Sequence, residues 1–169
     1  MIFEHVQQYK HARKGMPVKH TYSTGDAARE LGLPASTLRF YDKKGLLPQI
    51  RRTEGGIRIF TDDDLEWARL IELLKLSGMP IREIKGYIDL LLEGDDTVEQ
   101  RRQIVYARRD EIDRQLAALE LSRDFIEYKC WFYDKAEELG STEAVQALAP
   151  EQVPPHIQDI KKKCRINRY

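Results

Sequence analysis

Three arginines crowd one short segment of this chain, Arg51 and Arg52 before Gly55-Gly56 and Arg58 after it. Guanidinium groups gathered around a tight turn suit phosphate oxygens, which their N–H donors grip in pairs. Just upstream, a helical stretch ending near Lys44 turns Leu38 inward and leaves Ser36, Thr37, Arg39 and Tyr41 for something else. Over residues 20–60, seven basic side chains (Arg29, Arg39, Lys43, Lys44, Arg51, Arg52, Arg58) face four acids (Asp26, Glu30, Asp42, Glu54). Across the whole chain Lys+Arg and Asp+Glu are equal at 28 each, so the excess is local. A short helix, a turn, a polar-faced second helix and a basic hairpin make a helix-turn-helix with a wing. That device enters DNA grooves and holds the backbone.

No other chemistry competes. His5, His11, His20 and His156 fall toward the two ends, none beside a Cys or Ser in an acid–base pairing, so no catalytic residue is expected and the chain does not read as an enzyme. Cys130 and Cys164 form no CxxC pair, which leaves a disulfide framework and a zinc site unsupported; no metal or cofactor is expected. No apolar run approaches the ~18 residues of a membrane span, and the N-terminus lacks a signal-peptide core, so a cytoplasmic protein is expected.

The elements that must position these residues are legible from their punctuation. Ser23 or Thr24 caps a first helix with Ala27, Ala28 and Leu31 on its inner face, and Gly32 ends it. Pro34 suits the first turn of the second helix, which stops at Gly45. Residues 49–52 and 57–60 read as two short strands around the glycine pair. Thr61 and Asp64 form a capping box for a third helix carrying Leu65, Ala68, Ile71 and Leu74, closed by Gly78. Pro80 opens a fourth with Ile81, Ile84, Ile88 and Leu91.

Beyond Gly94, Val98, Val105, Ile112, Leu119 and Ile126 recur every seven residues, with no Gly or Pro between Thr97 and Leu139. This is half of a coiled-coil pattern: Arg101, Arg108, Gln115 and Ser122 are polar, while Ile104, Leu116 and Phe125 broaden the stripe. Such a stripe needs a second copy of the chain or, alternatively, the head domain of its own. Trp131, Phe132 and Tyr133 cluster beyond it, and a basic segment after Pro155 is expected to be mobile. The division expected is an arm at 1–19, a DNA-binding head at 20–93, a dimerisation helix at 94–128, a small cap or effector region at 129–149 and a flexible basic tail at 150–169.

Five blocks, Tyr22-Ser23-Thr24-Gly25, Thr37-Leu38-Arg39-Phe40-Tyr41-Asp42, Gly45-Leu46-Leu47, Gly55-Gly56-Ile57-Arg58 and Thr61-Asp62-Asp63-Asp64-Leu65, together with their spacing, resemble the MerR family of bacterial transcriptional regulators. The resemblance implies a mainly α fold, with a winged helix-turn-helix head, a small two-stranded wing and a long antiparallel coiled-coil dimerisation helix. It implies a homodimer on an inverted-repeat promoter operator, control by distorting that DNA, RNA polymerase as a neighbour at the promoter, and a small-molecule or stress signal. Carried over by position, Ser36, Thr37, Arg39, Tyr41 and Lys44 are expected to contact DNA, with Arg51, Arg52 and Arg58 on the backbone; Phe40 is expected in the core. Metal-sensing members carry cysteines at both ends of the dimer helix, and residues 94–102 have none here.

The input side is thinner. Cys130, Trp131, Phe132 and Tyr133 are the candidate effector residues: Cys130 as a redox- or electrophile-sensing thiol or a packed small apolar side chain, the three aromatics as the lining of a ligand pocket or a seal between the dimer helix of one subunit and the DNA-binding head of the other. Two rivals stay open: a repressor or activator with no effector, and a ligand-binding protein that keeps the fold without regulating DNA.

Overall fold

The computed structural model describes residues 20–48 and 50–166; the expected N-terminal arm, Gln49 and residues 167–169 lie outside them. In order the elements are β1 (Thr21–Tyr22), α1 (Thr24–Leu31), α2 (Ala35–Lys43), β2 (Arg51–Arg52), β3 (Arg58–Thr61), α3 (Asp62–Leu76), α4 (Ile81–Glu93), a 3-10 turn (Asp95–Thr97), α5 (Val98–Leu139), α6 (Thr142–Gln146), a 3-10 turn (Pro150–Gln152) and α7 (Pro155–Lys163). The chain packs as two compact units, one ending at Arg108 and the other beginning at Arg109, both within α5.

In the first unit the local signals act as read. Ser23 is the N-cap of α1, its Oγ accepting from the Asp26 N–H at 3.2 Å. At the start of α3 the Thr61 N–H donates to Asp64 at 2.8 Å and the Asp64 N–H returns to Thr61 Oγ1. That reciprocal box satisfies two otherwise orphaned donors. Asp64 is buried, which pushes its carboxyl above the ordinary carboxylate range against the opposing pull of the Thr61 donors. The core joins α1 to α4: Ala27, Leu38, Tyr41, Leu46, Phe60, Ala68, Ile71, Ile84 and Ile88 pack together, with Ile104 of α5 against its edge.

Two details go beyond the sequence expectation. β1 pairs antiparallel with β3 (Thr21↔Thr61, Tyr22↔Phe60), so the two-stranded hairpin becomes a three-stranded sheet of order β1-β3-β2. Two residues carry too little periodicity to announce a strand; the edge of β3 recruits them. At the α3–α4 turn, Gly78 has φ +83°, and a Cβ there would run into the Arg108 guanidinium, which donates to the Ser77 carbonyl. The backbone conformation favours glycine, and any side chain there would have to displace the Arg108 guanidinium.

The second unit corrects the expected boundaries. α5 runs unbroken for 42 residues, so the division at 128/129 falls inside it and the aromatic cluster is part of the same helix. The segment expected to be a flexible tail is folded: α7 starts at Pro155 and buries Ile157 completely. Val153, Ile157 and Ile160 form an apolar face that closes with Val145 over Tyr128 and Phe132. Lys163 pairs with Asp124 at 2.6 Å, which holds that carboxyl below its usual range.

Candidate nucleic-acid interface

α2 is placed by its buried side. Leu38 and Tyr41 point into the core, and Gly45 ends the helix with its N–H on the Asp42 carbonyl at 3.0 Å. Ser36, Arg39 and Lys44 are exposed and Thr37 is half-buried, so four of the five expected contact residues share access to solvent. Arg39 makes no ion pair among the described residues, leaving its whole donor fork open.

Tyr41 is the fifth, and here the expectation is corrected. Only 1% of it is exposed. Its hydroxyl donates to Glu72 of α3 and accepts from Lys75 Nζ at 2.7 Å, while the same ammonium lies 5.3 Å from the ring centroid. Burial first, and the Glu72 carboxylate second, push the phenol above its ordinary value, so it stays a neutral donor. Phe40, expected in the core, takes the outward place with 41% exposure and carries Lys44 Nζ 5.7 Å from its ring. The adjacent aromatics have exchanged roles because 100° of helical rotation separates them, and Tyr41 is the one that lands on the α1–α3 side.

The wing is β2, β3 and the turn between them. Gly56 adopts φ +79° there and donates to the Thr53 carbonyl at 2.9 Å. Arg51 is exposed and makes no ion pair among the described residues. Arg52 and Arg58 are cross-strand partners, and both guanidiniums donate to the same Asp42 oxygen, each at 2.6 Å. Arg58 does so through Nε and keeps its terminal amino groups clear of protein acceptors among the described residues. Asp42 was visible in the sequence as one acid among basic neighbours and as the end of a family block, with no role attached to it. Its signal was the pairing of Arg52 opposite Arg58, since like charges facing across a ladder need a counter-ion.

At the candidate effector region, Phe132 is buried, Trp131 is half-buried against it, and Tyr133 is 60% exposed. Phe132 and Trp131 therefore build the second unit's core with Tyr128 and Ile157. Cys130 is exposed and Cys164 half-buried, its Sγ 3.8 Å from the Leu121 carbonyl. Among the described residues no three His, Cys, Asp or Glu side chains converge as a metal site, and no helix is long and apolar enough to cross a membrane.

The family model described as MerR HTH family regulatory protein matches residues 22–91, and that described as MerR, DNA binding matches residues 65–127. An uncharacterised helix-turn-helix-type transcriptional regulator of Haemophilus influenzae is 46% identical over 125 residues, covering 74% of this chain and 93% of its own. The crystal structure of HiNmlR, a MerR family regulator lacking the sensor domain and bound to promoter DNA, superposes with a TM-score of 0.62 at 45% identity, over 74% of this chain and 99% of that one. A putative MerR family regulator from Listeria monocytogenes gives a TM-score of 0.63 at 29% identity, over 70% and 94% of the two chains.

Proposed function

Because the chain belongs to the MerR family of DNA-binding transcriptional regulators, we propose that it acts as a homodimer on an inverted-repeat promoter operator and controls transcription by distorting that DNA. Residues 20–93 form the reading head. Ser36, Thr37, Arg39 and Lys44 of α2 address the groove, and Arg51, Arg52 and Arg58 hold the flanking backbone. The observation that carries this reading is the open basic face itself, with Arg39 and Arg51 exposed and without an ion pair among the described residues, beside a wing that keeps donors free.

The dimer rests on α5. Val98, Val105, Leu119 and Ile126 are exposed on one seven-residue register, which half-buried Ile112 completes, with Leu116 and Phe125 beside them. A stripe of that size left open in one chain favours a second copy, and the two-fold axis of a pair matches an inverted repeat. RNA polymerase bound at the same promoter is the machinery such distortion would serve. Residues 142–163 act as a folded cap on the end of α5, packing Val145, Val153 and Ile157 against Tyr128, Trp131 and Phe132. A regulator without a sensor domain that still binds promoter DNA, as HiNmlR does, favours effector-independent DNA binding over a ligand pocket at these aromatics. The test is a mobility-shift titration with an inverted repeat from the adjoining promoter. A single two-fold complex at nanomolar to micromolar protein is expected, and no complex at low salt would sink the reading.

A further inference from the structure

The geometry points to Asp42 as a positioning residue, which sets the angle of the wing against the recognition helix before DNA arrives; this inference rests on the DNA-binding reading. Arg52 and Arg58 sit directly opposite one another on β2 and β3. Two guanidiniums in that register repel and would splay the hairpin. A single oxygen of Asp42, at the C-terminal end of α2, accepts from both at 2.6 Å. The Asp42 side chain is only 15% exposed, against 44% and 25% for Arg52 and Arg58. The acid is thus the inner member of the trio, with the arginines lying over it on the basic side.

One carboxylate therefore does two things. It cancels the cross-strand repulsion, and it ties a short hairpin, which would be marginal alone, to the helix that reads the groove. The arginines are held on the DNA side with donors to spare, so their rotamer entropy is lost on folding instead of on binding. An exposed pair of charges contributes little; a shared, largely covered carboxylate with two charge-assisted bonds is a different case.

The proposal has an opposite sign from simple electrostatics. Deleting an acid from a DNA-facing surface ought to tighten binding, whereas deleting a positioning acid ought to weaken it. The experiment compares the unaltered full-length protein, Asp42→Asn and Asp42→Glu by fluorescence anisotropy on a promoter fragment, with amide hydrogen exchange on the free proteins. Asp42→Asn is expected to weaken binding about tenfold, the equivalent of one lost charge-assisted hydrogen bond, and Asp42→Glu to recover most of it. Exchange at the Thr53 amide, which closes the hairpin, should quicken by about the same factor while Ile71 and Ile88 stay unchanged. Equal or tighter binding by Asp42→Asn, or unaltered Thr53 exchange, would overturn the proposal. So would equal acceleration at Ile71 and Ile88, which would make Asp42 a general stability residue. Failure of the unaltered protein to bind DNA would instead strike the DNA reading, and the Thr53 exchange would then decide the clamp alone.

Discussion

At the scale of single residues, the basic side chains of the head divide by their partners. Arg39 and Arg51 make no ion pair among the described residues, whereas Arg52 and Arg58 share Asp42. Arg51→Ala should weaken binding to all sequences alike and lower the slope of log affinity against log salt by about one. Arg39→Ala should also relax preference for the operator over a scrambled fragment, by about 1–3 kcal/mol if its fork meets a base edge. Anisotropy titrations at several salt concentrations separate the two, and an unchanged slope for Arg51→Ala would remove it from the interface. Tyr41→Phe tests the corrected role of that residue. With its hydroxyl turned to Glu72 and Lys75, the substitution should cost thermal stability of roughly 1–2 kcal/mol and leave the salt slope as it was. A slope reduced by one would return Tyr41 to the phosphates.

At the scale of elements, α7 is held by a buried isoleucine and an ion pair of very different weight. Ile157 is fully buried, so Ile157→Ala should remove about 2–5 kcal/mol from the second unit and release α7. The observable is loss of exchange protection across Pro155–Lys163; retained protection would contradict the packing described. Asp124 pairs with Lys163 and is held below its ordinary value of 3.8. A depressed carboxylate contributes its share above that value and loses it as pH falls through the lower, folded-state pKa. Acidification through that window should therefore quicken exchange at the end of α7, and Asp124→Asn should do so at neutral pH. Because Lys163 is half exposed to solvent, the change should be no more than about fivefold.

At the scale of the whole molecule, the exposed stripe on α5 is the feature on which the proposed dimer rests. Leu119 and Ile126 are 66% and 58% exposed. Replacing both with Glu should give monomers by sedimentation velocity while leaving the helical content of the head intact, and should reduce operator binding to half-site strength. Dimers persisting in that variant would mean that the stripe is covered otherwise. The sequence came close here, since five apolar residues at a seven-residue period with no breaker before Gly140 define the helix and its open face. The change in side-chain character at Lys129 suggests an element boundary there, whereas the helix continues to Leu139. Helices end where caps and breakers stand, and residue 129 has neither.

What the amino-acid sequence determined by itself is whatever is written in neighbours along the chain: the Ser23 cap, the Thr61–Asp64 box, the Gly45 and Gly78 stops, the basic hairpin and the family. These are local devices, in which the residue type and its backbone geometry are inseparable. Tertiary structure alone decided that Tyr41 turns inward and Phe40 outward, that Thr21–Tyr22 becomes a strand, and that Asp42 serves two arginines 10 and 16 residues away. It also decided that residues 155–163 form a docked helix. Each of these depends on which surface lies opposite, and a one-dimensional pattern carries that information only through packing.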